Sequence, residues 1–134
     1  SETLEGVEIG KGVVRREGEQ VALLVFGTQL TNALQAAEGL NATVADMRFV
    51  KPLDEELVLQ LAQSHSLLVT VEENAVQGGA GSAVTELLHE WGIVLPVLQL
   101  GLPDTYIDHG DQTQMLADCG LSVDGIAKAV AERL

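Results

Sequence analysis

A three-layer α/β/α domain, with a mainly parallel sheet of about five strands and one antiparallel edge strand, is the fold that residues 1–134 predict. Two observations carry it. The run from Val21 to Phe26 is apolar throughout and that from Leu67 to Val71 holds only Thr70 besides, as strands covered on both faces should. Such runs also alternate with helically spaced stretches along most of the chain, which calls for right-handed βαβ crossovers. With 134 residues, 46% of them hydrophobic, the chain has the size and core material of one domain.

The elements follow in order. Val13-Val14-Arg15-Arg16, the polar turn Glu17-Gly18-Glu19-Gln20 and the run from Val21 read as a hairpin that adds the antiparallel edge strand. Gly27-Thr28 ends the second of these strands. Leu30, Ala33, Leu34 and Ala37 then share one helical face over Leu30 to Leu40. Thr43 to Met47 forms the next strand. Asp54 is placed as the N-cap of a helix whose first turn holds Glu55 and Glu56, where negative charge is favoured, and whose core side holds Leu57, Val58 and Leu61. After the strand at Leu67, the glycine-rich Gly78-Gly79-Ala80-Gly81-Ser82 turns into a helix over Ala83 to Trp91. Leu95 to Leu100 is a strand broken by Gly101 and Pro103, and helical stretches around Gln112 to Asp118 and Val123 to Leu134 close the chain. Residues 1–8 read as an interdomain linker. The opening Ser1-Glu2-Thr3, without Met, basic n-region or cleavage site, reads as part of a longer polypeptide.

Charge and cysteine usage narrow the function classes. A net charge of −13 argues against nucleic acid and polyanionic membranes as partners, since phosphate surfaces require basic patches. No apolar run approaches the ~20 residues needed to span a bilayer. Cys119 is alone, which rules out an internal disulfide and fits a reducing cytoplasm.

Ligands of open α/β sheets lie at the carboxyl ends of the strands, so candidate chemistry is sought there. The glycine cluster lacks the third small residue of a dinucleotide fingerprint, because Val84 stands in its place, and no Gly-Lys-Ser/Thr follows. Glu72 and Glu73 are adjacent on a strand and point to opposite faces, so they cannot form a facing acid/base dyad. One is expected to turn inward to backbone N–H groups or an arginine. Arg48 directly follows a buried strand and suits bidentate pairing with a carboxylate such as Glu73. His65 and His89 lie near helix ends without zinc-ligand spacing, and His109 lies on a loop. Ser82 and Ser122 lack a nucleophile elbow. No self-sufficient catalytic site emerges.

Two long segments resemble a known family. Asp46-Met47-Arg48-Phe49-Val50-Lys51-Pro52-Leu53-Asp54 is similar to the Arg…Pro-x-Asp segment of transketolase C-terminal-type domains. Val69-Thr70-Val71-Glu72-Glu73-Asn74-Ala75-Val76-Gln77-Gly78-Gly79-Ala80-Gly81-Ser82 resembles the strand-to-helix segment after it. With Ile9-Gly10-Lys11-Gly12 and Leu100-Gly101-Leu102-Pro103-Asp104, the resemblance runs from Ile9 to the C-terminus and narrows to the 1-deoxy-D-xylulose-5-phosphate synthases. It implies a transferase that condenses pyruvate with glyceraldehyde 3-phosphate, with loss of carbon dioxide, feeding isoprenoid and thiamine biosynthesis. The resemblance further implies thiamine diphosphate and Mg²⁺ in the full-length enzyme, a homodimer, and a cytoplasmic location. Such enzymes hold the diphosphate and metal with a motif that opens Gly-Asp-Gly; Gly110-Asp111-Gln112 is not that motif. No catalytic, cofactor or metal residue is therefore assigned, and the domain alone is expected to be inactive. A domain-packing or dimer-contact role is assigned to Arg48, Glu72, Glu73, Asn74, Gly81 and His109. Transketolase itself, the β subunit of a 2-oxo-acid dehydrogenase, and a regulatory module holding a small anion at Gly78 to Ser82 are the alternatives.

Overall fold

The computed structural model describes residues 3–4, 7–8, 11–27, 29–48, 52–75, 79–103 and 122–134, and the side chains of these except 3, 4, 7, 8, 73–75, 102 and 103. A small antiparallel pair, β1 (Thr3–Leu4) with β2 (Val7–Glu8), precedes the main sheet. That sheet contains β3 (Val13–Arg16), β4 (Val21–Phe26), β5 (Thr43–Asp46), β6 (Leu67–Ala75) and β7 (Val97–Pro103), in the spatial order β3-β5-β4-β6-β7. Only β3 runs antiparallel; β5, β4, β6 and β7 pair in parallel. The helices are α1 (Leu30–Leu40), α2 (Glu55–Ser64), α3 (Ala80–Glu90) and α4 (Val123–Ala131).

All six residues of β4 are buried, and their alternation sorts them into two cores. Val21, Leu23 and Val25 join Ala33, Ala36 and Ala37 of α1 and Ile126 and Val130 of α4. Ala22, Leu24 and Phe26 join Val58 and Leu61 of α2 and Val84, Leu87 and Leu88 of α3. Helices thus cover both faces, which is the three-layer arrangement expected. β4 lies between β5 and β6, the connection after β4 running to one face and those after β5 and β6 to the other. The carboxyl end of β4 is therefore the topological switch point, where an open sheet presents a crevice.

The expected hairpin between β3 and β4 does not form. Both edges of β4 are taken by parallel partners, β5 and β6, so β3 passes over the start of β5 and pairs with its outer edge. Hydrogen bonds fix that passage. Arg16 Nη1 donates to the Ala42 carbonyl at 2.8 Å, Gly18 N–H to Thr43 Oγ1 at 2.8 Å, and Glu19 N–H to the Asn41 carbonyl at 3.0 Å. Gly18 is required there because a Cβ would collide with the Asn41 carbonyl oxygen. The pairing of β3 is interrupted at Arg15, where the register shifts between Val14 and Arg16.

The amino edge is tied further by His65, the C-cap of α2. Its Nδ1 lies 2.8 Å from the Leu61 carbonyl, which can only accept, so Nδ1 carries the proton. In the neutral ring Nε2 then accepts from Thr43 Oγ1–H at 2.7 Å, while the same oxygen accepts from Gly18 N–H. The chain Gly18–Thr43–His65–Leu61 links loop, strand and helix.

Several element boundaries differ from expectation, β6 running on past Val71 to Ala75 and the last helix ending at Ala131. Helix α3 starts at Ala80 rather than Ala83, because Ala80 and Gly81 belong to its buried first turn. Strand β7 starts at Val97 and runs through Gly101 to Pro103. Among the described residues it is paired on one side only, with β6, and a proline such as Pro103 is tolerated in an edge strand of this kind. The helical stretch expected around Gln112 to Asp118 lies outside the described residues.

Candidate interdomain face at the carboxyl edge

The carboxyl edge gathers the end of β4 at Phe26 and Gly27, the end of β5 with Asp46 and Arg48, the end of β6 with Glu72, and the starts of α1, α2 and α3. Gly27, at φ 111°, turns the chain out of β4 in a conformation open to glycine alone. Register places Asp46 level with Val25, and Glu72 one rung further out, level with Phe26 and Gly101.

Glu72 turns inward, as one of the two adjacent acids is expected to do. Its Oε1 and Oε2 accept from the Ala80 N–H at 3.0 and 3.3 Å. The N-cap of α3 is Gly79, which has no side chain to satisfy the first-turn amides, so a strand-end carboxylate does so from across the crevice. This occupies the place where a phosphate would sit on a free helix N-terminus. Gly81 lies in the same turn, and a Cβ there would collide with the side chain of Gln99 on β7. Gly81 thus serves close helix–strand packing, and the amide a small anion would use at Ala80 is already engaged.

Burial holds the Glu72 carboxyl above its ordinary value of 4.5, against the opposing hydrogen bonds from Ala80 and Gly81. The folded form therefore keeps its proton to higher pH than the unfolded chain. The ionisation penalty is absent below the unfolded value and grows as pH rises through the folded one. Glu72→Gln keeps an oxygen for Ala80 and removes the titration. Its unfolding free energy minus that of the wild type is expected to rise with pH across the mildly acidic range, as read by urea denaturation at a series of pH values. A flat or falling difference would refute the assignment.

Asp54 anchors the β5–α2 connection. It is 7% exposed; Oδ1 accepts from Leu57 N–H at 3.1 Å as the expected N-cap, and Oδ2 accepts from Gly12 N–H at 2.9 Å. The second bond ties the segment leading into β3 to the start of α2, a role not legible from the local capping pattern. The packing there is close: a Cβ on Gly12 would lie 2.9 Å from Leu57 Cδ2 and 3.1 Å from the Asp46 carbonyl oxygen. The neighbouring Lys11–Glu56 pair, at 3.6 Å with side chains 51% and 87% exposed, contributes little.

Among the described side chains, Arg48 meets Asp46. Its Nε is 3.7 Å from Asp46 Oδ2, and Nη1 is buried without a hydrogen-bond partner. The side chains of Glu73 and Asn74 lie outside the description, although both residues continue β6; His109 lies outside it altogether. The face thus brings Glu72 and the turn at Gly81 together and sets Arg48 beside Asp46, the last residue of the strand before it. Among the described residues, no group of three or more His, Cys, Asp or Glu could hold a metal ion, and no helix is long and apolar enough to cross a membrane. A cleft lined by Val14, Gly18, Thr43, Leu61 and His65 lies near the amino edge, away from the strand ends where ligands of such sheets are held.

Residues 10–126 match the family described as transketolase, C-terminal domain. The 1-deoxy-D-xylulose-5-phosphate synthase of Pseudomonas paraeruginosa is 66% identical over 131 residues, which is 98% of this chain and 21% of that synthase. The synthase of the same name from Thiobacillus denitrificans is 67% identical over 131 residues, with the same shares covered. The chain therefore spans about a fifth of the length of the curated relatives it matches. Among solved structures, one titled as a split gene transketolase, an inactive beta4 tetramer, superposes with a TM-score of 0.83 at 34% identity, covering 94% of this chain and 43% of that one. A matched region covering most of the sequence, on a five-stranded sheet with one antiparallel edge, gives the family outright: this chain belongs to the transketolase C-terminal domain family.

Proposed function

We propose that the chain is the C-terminal domain of a 1-deoxy-D-xylulose-5-phosphate synthase and that it serves there as a docking and dimer-supporting unit. The identity of 66% across 98% of the chain carries this reading. The full-length transferase would condense pyruvate with glyceraldehyde 3-phosphate and release carbon dioxide, the first step of the methylerythritol phosphate route to isoprenoids. It would do so in the cytoplasm as a homodimer, using thiamine diphosphate and Mg²⁺ held by its other domains, with residues 1–8 as the linker to them. The carbanion chemistry comes from the cofactor, and this domain supplies position.

The carboxyl edge supports that division. Its crevice holds side chains committed to the fold: Glu72 on Ala80, Asp54 on Leu57 and Gly12. Such an edge offers a rigid face to a neighbouring domain rather than a pocket to a substrate. Glu73, Asn74, Gly81 and His109 are assigned to that contact together with Arg48 and Glu72.

The test compares the 134-residue chain with the full-length polypeptide in an assay containing pyruvate, glyceraldehyde 3-phosphate, thiamine diphosphate and Mg²⁺. Product is expected from the full-length protein alone. Turnover by the 134-residue chain would overturn the non-catalytic assignment, and a full-length protein inactive in this reaction would overturn the enzyme.

A further inference from the structure

Arg48 combines two features that a purely structural residue avoids. Its φ is 67°, in the left-handed region that L-residues other than Asn and Asp seldom enter. Its Nη1 is, among the described residues, the one buried side-chain nitrogen or oxygen without a hydrogen-bond partner. Buried polar groups are almost always paired, and an unpaired guanidinium donor is among the more costly exceptions. Asp46 does not relieve it. That contact reaches only Nε, at 3.7 Å, beyond hydrogen-bonding distance. A backbone strained to hold a cation with a buried donor unfilled is arranged for an acceptor that the described residues do not supply.

We propose that the Arg48 guanidinium receives a carboxylate from outside this domain, an Asp or Glu side chain of the rest of the polypeptide. The inference rests on the domain reading above. The fork of donors on Arg matches the two oxygens of a carboxylate. The side chain keeps 22% exposure, so an incoming group can approach, and rotation of the terminal torsions brings Nη1 to it. A free anion is the weaker occupant. The chain carries a net charge of −13 and Asp46 stands beside the guanidinium, so a diffusing phosphate or carboxylate is repelled on approach. A side chain presented by a covalently joined domain arrives at a high effective concentration and is not limited by that repulsion.

Two measurements on Arg48→Gln test this. Among the described residues of the 134-residue chain Nη1 has no acceptor, so the unfolding midpoint is expected to stay level or rise. A fall of more than about 3 °C would reveal an acceptor within the chain and overturn the proposal. In the full-length polypeptide the same change is expected to speed proteolytic cleavage between this domain and the rest by about tenfold or more, because it removes one partner of a buried charge pair. Arg48→Lys, which keeps the charge without the fork, should recover part of the protection. Cleavage at the wild-type rate would overturn the proposal. So would a saturating shift of the Arg48 ¹⁵Nε resonance when millimolar inorganic phosphate or acetate is added to the 134-residue chain, which would make it a free-anion site. Absence of synthase activity in the wild-type full-length protein would strike the functional reading alone, since neither measurement depends on turnover.

Discussion

Gly18→Ala is expected to destabilise the domain by about 3 kcal/mol or more, combining steric overlap against backbone with the loss of a half-buried hydrogen bond. The added methyl would overlap the Asn41 carbonyl oxygen and lie too close to the Ala42 backbone, so no side-chain rotation can absorb it. The loop must lift from the start of β5. That movement breaks the bond from Gly18 N–H to Thr43 Oγ1 and loosens the bond from Glu19 N–H to Asn41. Thr43 then loses the donor on one side of its hydroxyl while keeping His65 on the other. A fall in the unfolding midpoint of roughly 10 °C follows from that free energy for a domain of this size. Thermal denaturation followed by circular dichroism measures it. A shift within about 2 °C of wild type would show that the loop can accommodate the methyl and would refute the steric argument.

The second large effect is expected at Asp54, on the opposite edge of the sheet. Asp54→Ala removes the N-cap of α2 and the acceptor for Gly12 N–H together, and about 2–3 kcal/mol should be lost. Asp54→Ser separates the two contributions. Its hydroxyl can still cap Leu57 but is too short to serve Gly12 as well, so it should lose about half as much, near 1 kcal/mol. Urea denaturation with a common m-value gives both differences. A serine variant as stable as wild type would mean that the Gly12 bond contributes nothing, and the link between α2 and the entry to β3 would have to be rejected.

These two sites also show what can be read from residues in sequence and what cannot. The strand β4 and the first half of β6 are legible because a run such as Val21 to Phe26 has no polar interruption, and only double-sided burial permits that. Helix α1 falls where its apolar spacing puts it, and Asp54 caps α2 as its position before Glu55 and Glu56 predicts. Pairing is another matter. Val13 to Arg16 lies beside β4 in sequence, but the choice between β4 and β5 depends on which edges are already filled and on acceptors at Asn41, Ala42 and Thr43. No local pattern encodes those.

The same limit applies at the candidate face. The inward turn of one acid at the end of β6 follows from alternation, and Glu72 makes it. Its target, the Ala80 amide, depends on where α3 begins, and the glycines there read as turn residues although Gly81 lies inside the helix. Arg48 is legible as a committed cation after a buried strand. That it meets Asp46, two residues back, depends on the left-handed turn at Arg48 itself, which sequence does not announce in an arginine.

The edge strand β3 bears on how such a domain can assemble. It spans four residues, its ladder slips at Arg15, and Arg16 is bent back onto Ala42 and Asn41. A strand this short, kinked and charged makes a poor template for another strand, so two copies cannot readily fuse their sheets across this margin into one continuous structure. Association is thereby steered away from backbone zippering, which is indifferent to sequence, and toward side-chain contacts that discriminate one partner from another.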